Sequence, residues 1–121
     1  MPNPFVHVEL NTTDVGKSKT FYGELFDWKL QDVPIGDIAY TTIGVGTGTA
    51  GGMLKNPMPG APSMWLPYVL VDDIVAATAK AKSLGATIIR DVTETADLGW
   101  LSIIMDPTGA GLGLWQAKPR A

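Results

Sequence analysis

The chain has 121 residues, 45% of them hydrophobic and 17% charged, which describes a folded domain with its own core rather than a disordered segment. Its formal net charge is −3 and no basic residues cluster, which argues against nucleic acid as a partner, while no apolar run reaches the ~18 residues of a membrane-spanning helix. Cysteine is absent, so disulfides, thiolate nucleophiles and cysteine-held metals are excluded, and a cytoplasmic protein without a signal peptide is expected.

The first element is the run "FVHVEL" at 5–10, where Val6, Val8 and Leu10 alternate with Phe5, His7 and Glu9. That period of two is a strand with one apolar face. Asp14 then stands where a helix wants a capping side chain, and Val15, Ser18, Tyr22 and Leu25 recur as the inner stripe of an amphipathic helix. Three extended runs follow, "DWKLQDV", "AYTTIGV" and "TAGGML", separated by the turn signals "PIGD" and "GTG". Pro57, Pro59, Gly60 and Pro62 mark residues 55–63 as an extended linker. Beyond it come a strand, "WLPYVLV", and a helix opened by the Asp72–Asp73 pair. The strands "ATIIRDV", "WLSIIM" and "AGLGLWQ" close the chain, with turns at "TADLG" and "DPTG".

The two halves share this pattern. Moving the first forward by 59 positions sets Asp14 on Asp73, Tyr22 on Ala81 and Leu25 on Leu84. Each half, 1–54 and 64–121, therefore reads β-α-β-β-β. A single helix covers one face of a four-stranded sheet, and the other face must meet a ligand or a partner. The expectation is an α+β fold: two such modules forming a curved, mostly antiparallel eight-stranded sheet, helices outside, with a concave ligand trough. Open sheet edges further predict a homodimer.

The last strand raises a question. Gly109, Gly111 and Gly113 occupy alternate positions before Trp115, so one face carries almost no side chain. Each strand glycine costs roughly 0.5–1 kcal/mol relative to alanine. Two readings explain the cost: the bare face makes room for a ligand, or it admits a bulky side chain such as a tryptophan from an opposing sheet. Leu112 and Leu114 would face the helix in either case.

The run "HVELNTTDVGKSKTFYGELFDW", with Asp14, Ser18, Phe21, Tyr22 and Leu25, resembles the opening of the glyoxalase/bleomycin-resistance/dioxygenase group, the vicinal oxygen chelate superfamily. "VDDIVAATAKAKSLGA" resembles its second helix and "DPTGAGLGLWQ" its closing turn and strand. The resemblance implies a divalent metal held by His, Glu or Gln from the first and last strands of each module. Carried over by position, those ligands are His7, Leu66, Gly113 and either Met53 or Leu54. One donor of four survives, and a zinc site wants at least three. Glu9, on the face of His7, brings the total to two, so no metal is expected; a divalent metal is the runner-up.

The candidate catalytic groups are His7 and Glu9, with the neighbouring carboxylate favouring a protonated imidazole. The candidate ligand-binding residues are His7, Glu9, Tyr40, Met53, Leu66, Tyr68, Trp100, Gly111, Gly113 and Trp115. Met58, Met64 and Met105 add adaptable apolar surface. "GVGTGTAGG" lacks the Gly-Lys-Ser/Thr ending of a phosphate loop and reads as a hairpin connection. The expected function is binding of a small aromatic or apolar organic molecule in a metal-free trough. The alternatives are a metal-dependent lyase, isomerase or dioxygenase, and a metal-free enzyme moving a proton through His7 and Glu9.

Overall fold

The computed structural model describes residues 2–119. Its elements are β1 (Phe5–Thr12), α1 (Val15–Leu25), β2 (Lys29–Ile35), β3 (Ile38–Gly44), β4 (Gly51–Lys55), β5 (Met64–Leu70), α2 (Ile74–Ser83), β6 (Thr87–Thr95), β7 (Gly99–Met105) and β8 (Gly111–Ala117). The fold is α+β, and every element foreseen from the sequence is present within a few residues of its expected bounds. No helix among the described residues is long and apolar enough to cross a membrane.

The chain divides into two compact units. The N-unit is His7–Leu66; the C-unit joins the residues up to Val6 to those from Pro67 onward. The exchange of the opening residues has a plain cause. Leu70 N donates to Pro4 O at 3.0 Å and Asn3 Nδ2 donates to Leu70 O at 2.9 Å. Residues 55–63 lie within the N-unit.

In the N-unit the strands run in the order β2-β3-β4-β1. β2/β3 and β3/β4 are antiparallel, whereas β4 and β1 are parallel, with Glu9 opposite Gly52 and Leu10 opposite Met53. The helix α1 starts at Asp14, whose side chain accepts from Lys17 N at 3.0 Å. One face of the sheet meets α1 through Leu10, Ile43 and Met53, joined by Val15, Tyr22, Trp28 and Leu30. On the same side Asp32 accepts from Lys19 Nζ at 2.9 Å and from Thr41 Oγ1 at 2.8 Å, which holds its carboxyl below the usual range.

The C-unit repeats the plan in the order β5-β8-β7-β6. β8 pairs in parallel with β5, Tyr68 opposite Gly113, and antiparallel with β7. Asp73, rather than Asp72, caps α2 by accepting from Ala76 N. Ile74, Ile104 and Leu114 form the core beneath α2, with Ala77, Ala81, Trp100 and Leu112 packed against them. Burying Ile74 to 2% exposure removes a whole side chain from water, a contribution of about 1.5–3 kcal/mol. Thr78 and Ser102 are both buried there and share a hydrogen bond of 2.9 Å, which satisfies the two hydroxyls.

Two members of the helix stripes depart from expectation. Leu25 and Leu84 are exposed, because each sits at the very end of its helix, past the turns that touch the core. The turn before β8 is built on Asp106, whose Oδ1 accepts from Thr108 N, Thr108 Oγ1 and Ala110 N at 2.7, 2.6 and 3.1 Å. Those bonds hold the Asp106 carboxyl below its ordinary value. Gly109 takes a φ of +96° there, a conformation that glycine adopts without strain. One of the three alternating glycines thus belongs to the turn.

Candidate functional site

The face of the N-unit sheet opposite α1 is set by the alternation of β1. Val8 and Leu10 turn towards the helix side, so His7 and Glu9 turn away from it. Parallel pairing puts Gly52 opposite Glu9, and antiparallel pairing puts Thr42 opposite Gly52. Tyr40, two residues before Thr42 on β3, therefore shares their face. Gly52 has no side chain, and that vacancy holds the tyrosine: a Cβ there would lie 2.0 Å from the Tyr40 hydroxyl oxygen.

The hydroxyl reaches two groups at once. It donates to Glu9 Oε2 at 3.0 Å, and His7 Nε2 lies 2.7 Å away. With the phenol proton directed at the carboxylate, the imidazole must be the donor to the phenol oxygen, which selects the Nε2–H tautomer. The rings of His7 and Tyr40 are 6.3 Å apart and 24° from parallel. Burial lowers the His7 pKa, so the imidazole is neutral near pH 7. This corrects the expectation of an imidazolium: removing the ring from water penalises its charged form.

A pH dependence follows. Unfolded, His7 takes a proton near its ordinary value of 6.5; folded, beside Glu9 and Tyr40, it takes one only at lower pH. Between those values the unfolded chain holds more protons, so stability is complete above about 6.5 and declines as the pH falls through the window. Asp32 and Asp106 titrate in a lower range. Urea midpoints at about pH 7.5 and about pH 5.5 should drop in the native protein and drop less in His7→Gln. An equal drop in both would remove His7 as the cause.

Within each unit the other sequence candidates divide between the two faces of the sheet. Met53 is fully buried under α1, opposite Leu10, and does not share the face of His7. The reason is register: Gly52, not Met53 or Leu54, is the N-unit counterpart of Gly113, since Gly52 faces Glu9 as Gly113 faces Tyr68. Leu66, the last residue of the N-unit, is buried. In the C-unit, Trp100 packs on the core beneath α2 with Lys118 Nζ 5.3 Å above its ring. Trp115 lies on the opposite face from Trp100, its ring against Gly99. Gly111 is exposed, paired with Met105.

Gly113 settles the question raised by the last strand. A Cβ there would lie 2.3 Å from Tyr68 Cδ2 and 2.7 Å from Cγ. The glycine admits a bulky ring, and the ring comes from the parallel neighbour β5 rather than from an opposing sheet. Gly52 does the same for Tyr40. Sequence reasoning missed Gly52, although a small residue at matching register in both halves was the available signal.

A divalent ion, which the resemblance implies, does not fit these residues. His7 and Glu9 already converge on the Tyr40 hydroxyl, and both carboxylate-ligand positions, Gly52 and Gly113, are glycines beneath tyrosine rings. Among the described residues no three His, Cys, Asp or Glu side chains group together as a cation would require.

The model of the Glyoxalase/Bleomycin resistance protein/Dioxygenase superfamily matches residues 5–114. Proteins of Mycobacterium tuberculosis and Mycobacterium bovis named "Putative glyoxylase CFP32" are 36% identical over 116 residues, covering 92% of this chain and 44% of their own. The chain thus spans under half the length of the curated relatives it matches. Among solved structures, a hypothetical protein of Bacillus halodurans C-125 aligns with a TM-score of 0.74 at 14% identity, over 100% of this chain and 99% of that one. Methylmalonyl-CoA epimerase of Mycobacterium tuberculosis aligns at 0.70 and 14% identity, over 95% and 88%. At such identities the structures establish the fold, and the family match covers nearly all of the chain. The chain belongs to the Glyoxalase/Bleomycin resistance protein/Dioxygenase superfamily.

Proposed function

We propose that the protein binds a small, largely apolar organic molecule on the face that carries His7, Tyr40 and Glu9, without a metal ion. The observation that carries this reading is the hydrogen-bonded row itself, a neutral imidazole, a phenol and a carboxyl group held by one hydroxyl. Such a row offers a ligand a few oriented polar contacts, the usual means of fixing orientation within an apolar site. The protein is taken as a cytoplasmic homodimer.

A second reading is supported by the same row: as a substrate proton enters at Nδ1 of His7, the Nε2 proton passes to the phenol oxygen and the phenol proton to the Glu9 carboxylate, a relay that suits a metal-free enzyme and that runs in reverse to return the proton. Methylmalonyl-CoA epimerases are among the structural neighbours, which share the fold with this chain.

One experiment separates the readings. Protein purified without chelator is analysed for metal, then screened by thermal shift against aromatic and apolar metabolites, since a bound ligand raises apparent stability. We expect far less than one ion per chain and a ligand whose affinity falls up to about tenfold in Tyr40→Phe, the worth of one hydrogen bond. Turnover that falls by about 10²–10⁴ in His7→Ala would select the proton-transfer enzyme. One tightly held ion per chain would overturn both.

A further inference from the structure

The α1 side of the N-unit sheet, opposite His7 and Glu9, holds a separate cavity of about 260 Å³. Its floor is a row across three strands, in which Gly51 pairs with Val8 on one side and Ile43 on the other. Gly51 keeps that floor at backbone level, because a Cβ there would lie 2.2 Å from the Val8 carbonyl oxygen. Trp28 and Trp65 form the walls, their rings 6.2 Å apart and at 79°. Tyr22 supports both, stacked on Trp28 at 5.6 Å and edge-on to Trp65 at 5.4 Å. Thr49 and Ala50, both exposed, form the rim on the connection from β3 to β4.

We infer that this cavity is a binding site for a neutral, flat aromatic molecule of one or two rings. The lining decides the charge. None of its residues is ionisable, so a charged ligand would lose its hydration without a counter-charge. The walls decide the shape: two indole faces set nearly at right angles offer one stacked and one edge-on contact, the arrangements aromatic rings prefer. The volume decides the size. A hydrocarbon cavity of about 150 Å³ admits benzene, so the larger space here suits a two-ring system such as indole. Trp65 is 38% exposed, aromatic surface that an occupant would cover. The site goes beyond the function proposed above and does not depend on it, because its residues lie on the other face of the sheet.

Indole itself is the probe. Titrated into ¹⁵N-labelled protein, it should shift the indole N–H signals of Trp28 and Trp65 and leave those of Trp100 and Trp115 in place. Saturation is expected in the range of about 0.1–1 mM, reasonable for a ligand of this size. Ala50→Leu places a branched side chain at the rim and should weaken binding at least tenfold, and Trp65→Ala should do the same by removing a wall. Both positions are exposed, and retained dispersion of the amide spectrum shows that each variant folds. Shifts that do not saturate, that fall on Trp100 and Trp115, or that survive in both variants overturn the site. A change in monomer–dimer equilibrium on adding indole, with no saturable shift of its own, overturns it too and makes a second copy of the chain the occupant.

Discussion

Gly113→Ala should destabilise the protein by about 1–3 kcal/mol, the cost of overpacking a site that cannot yield. Alanine would ordinarily improve a strand by roughly 0.5–1 kcal/mol, so the sign itself is informative. The new Cβ meets Tyr68 at Cγ, Cδ2 and Cε2 together, close to the root of the side chain. Tyr68 is only 4% exposed, and its ring has nowhere to swing. A double-mutant cycle isolates the effect: in a Tyr68→Ala background, Gly113→Ala should become neutral or stabilising. Denaturant unfolding measures all four proteins, and a Gly113→Ala variant as stable as the parent would show that the ring does not rest there. Gly52→Ala provides the contrast. There the Cβ meets Oη, Cζ and Cε2 of Tyr40, the far end of a flexible side chain. The ring can move, so less stability is lost, but the hydroxyl leaves His7 and Glu9.

Met53→Ala should cost about 2–5 kcal/mol, in line with truncating a buried side chain and leaving a cavity behind. Met53 has no exposed surface and packs with Leu10 and Ile43 on the α1 side. Met53→Leu, which nearly conserves volume, should cost less than about 1.5 kcal/mol. The same pair tests its role. A residue that contacts ligand would change affinity at little cost in stability, whereas Met53 should change stability and leave the affinity of the folded protein unaltered. Calorimetric unfolding gives the first quantity and titration of a ligand found by thermal shift gives the second. A stable Met53→Ala protein with altered affinity would return the residue to the ligand face.

The elements were legible because each rests on short-range chemistry. Alternation in "FVHVEL", the stripe from Val15 to Tyr22 and the caps at Asp14 and Asp73 are properties of neighbouring residues, and all reappear in the structure. The direction of Leu112 and Leu114 towards the helix was legible for the same reason. The face of Met53 was not. It depends on a parallel register between β1 and β4, strands that lie some forty residues apart, and a slip of one residue exchanges the two faces of a strand. The neutral state of His7 was also out of reach, since the carboxylate beside it in sequence points one way and burial, a property of the folded chain, points the other.

The sequence by itself determined the repeated β-α-β-β-β plan, the caps, the turn on Asp106 and the family, because hydrophobic period and turn chemistry are written over spans of a few residues. The tertiary structure decided which residues meet across the parallel pairs β1/β4 and β5/β8. It set the Tyr68 ring over Gly113 across β5/β8 and, through the antiparallel pair β3/β4, the Tyr40 ring over Gly52, where the family's metal-binding pattern would want carboxylates. Local propensity carries no information about that choice: register is fixed by the packing of whole strands against their helices, and the lone histidine found its phenol and carboxyl partners only once that packing was complete.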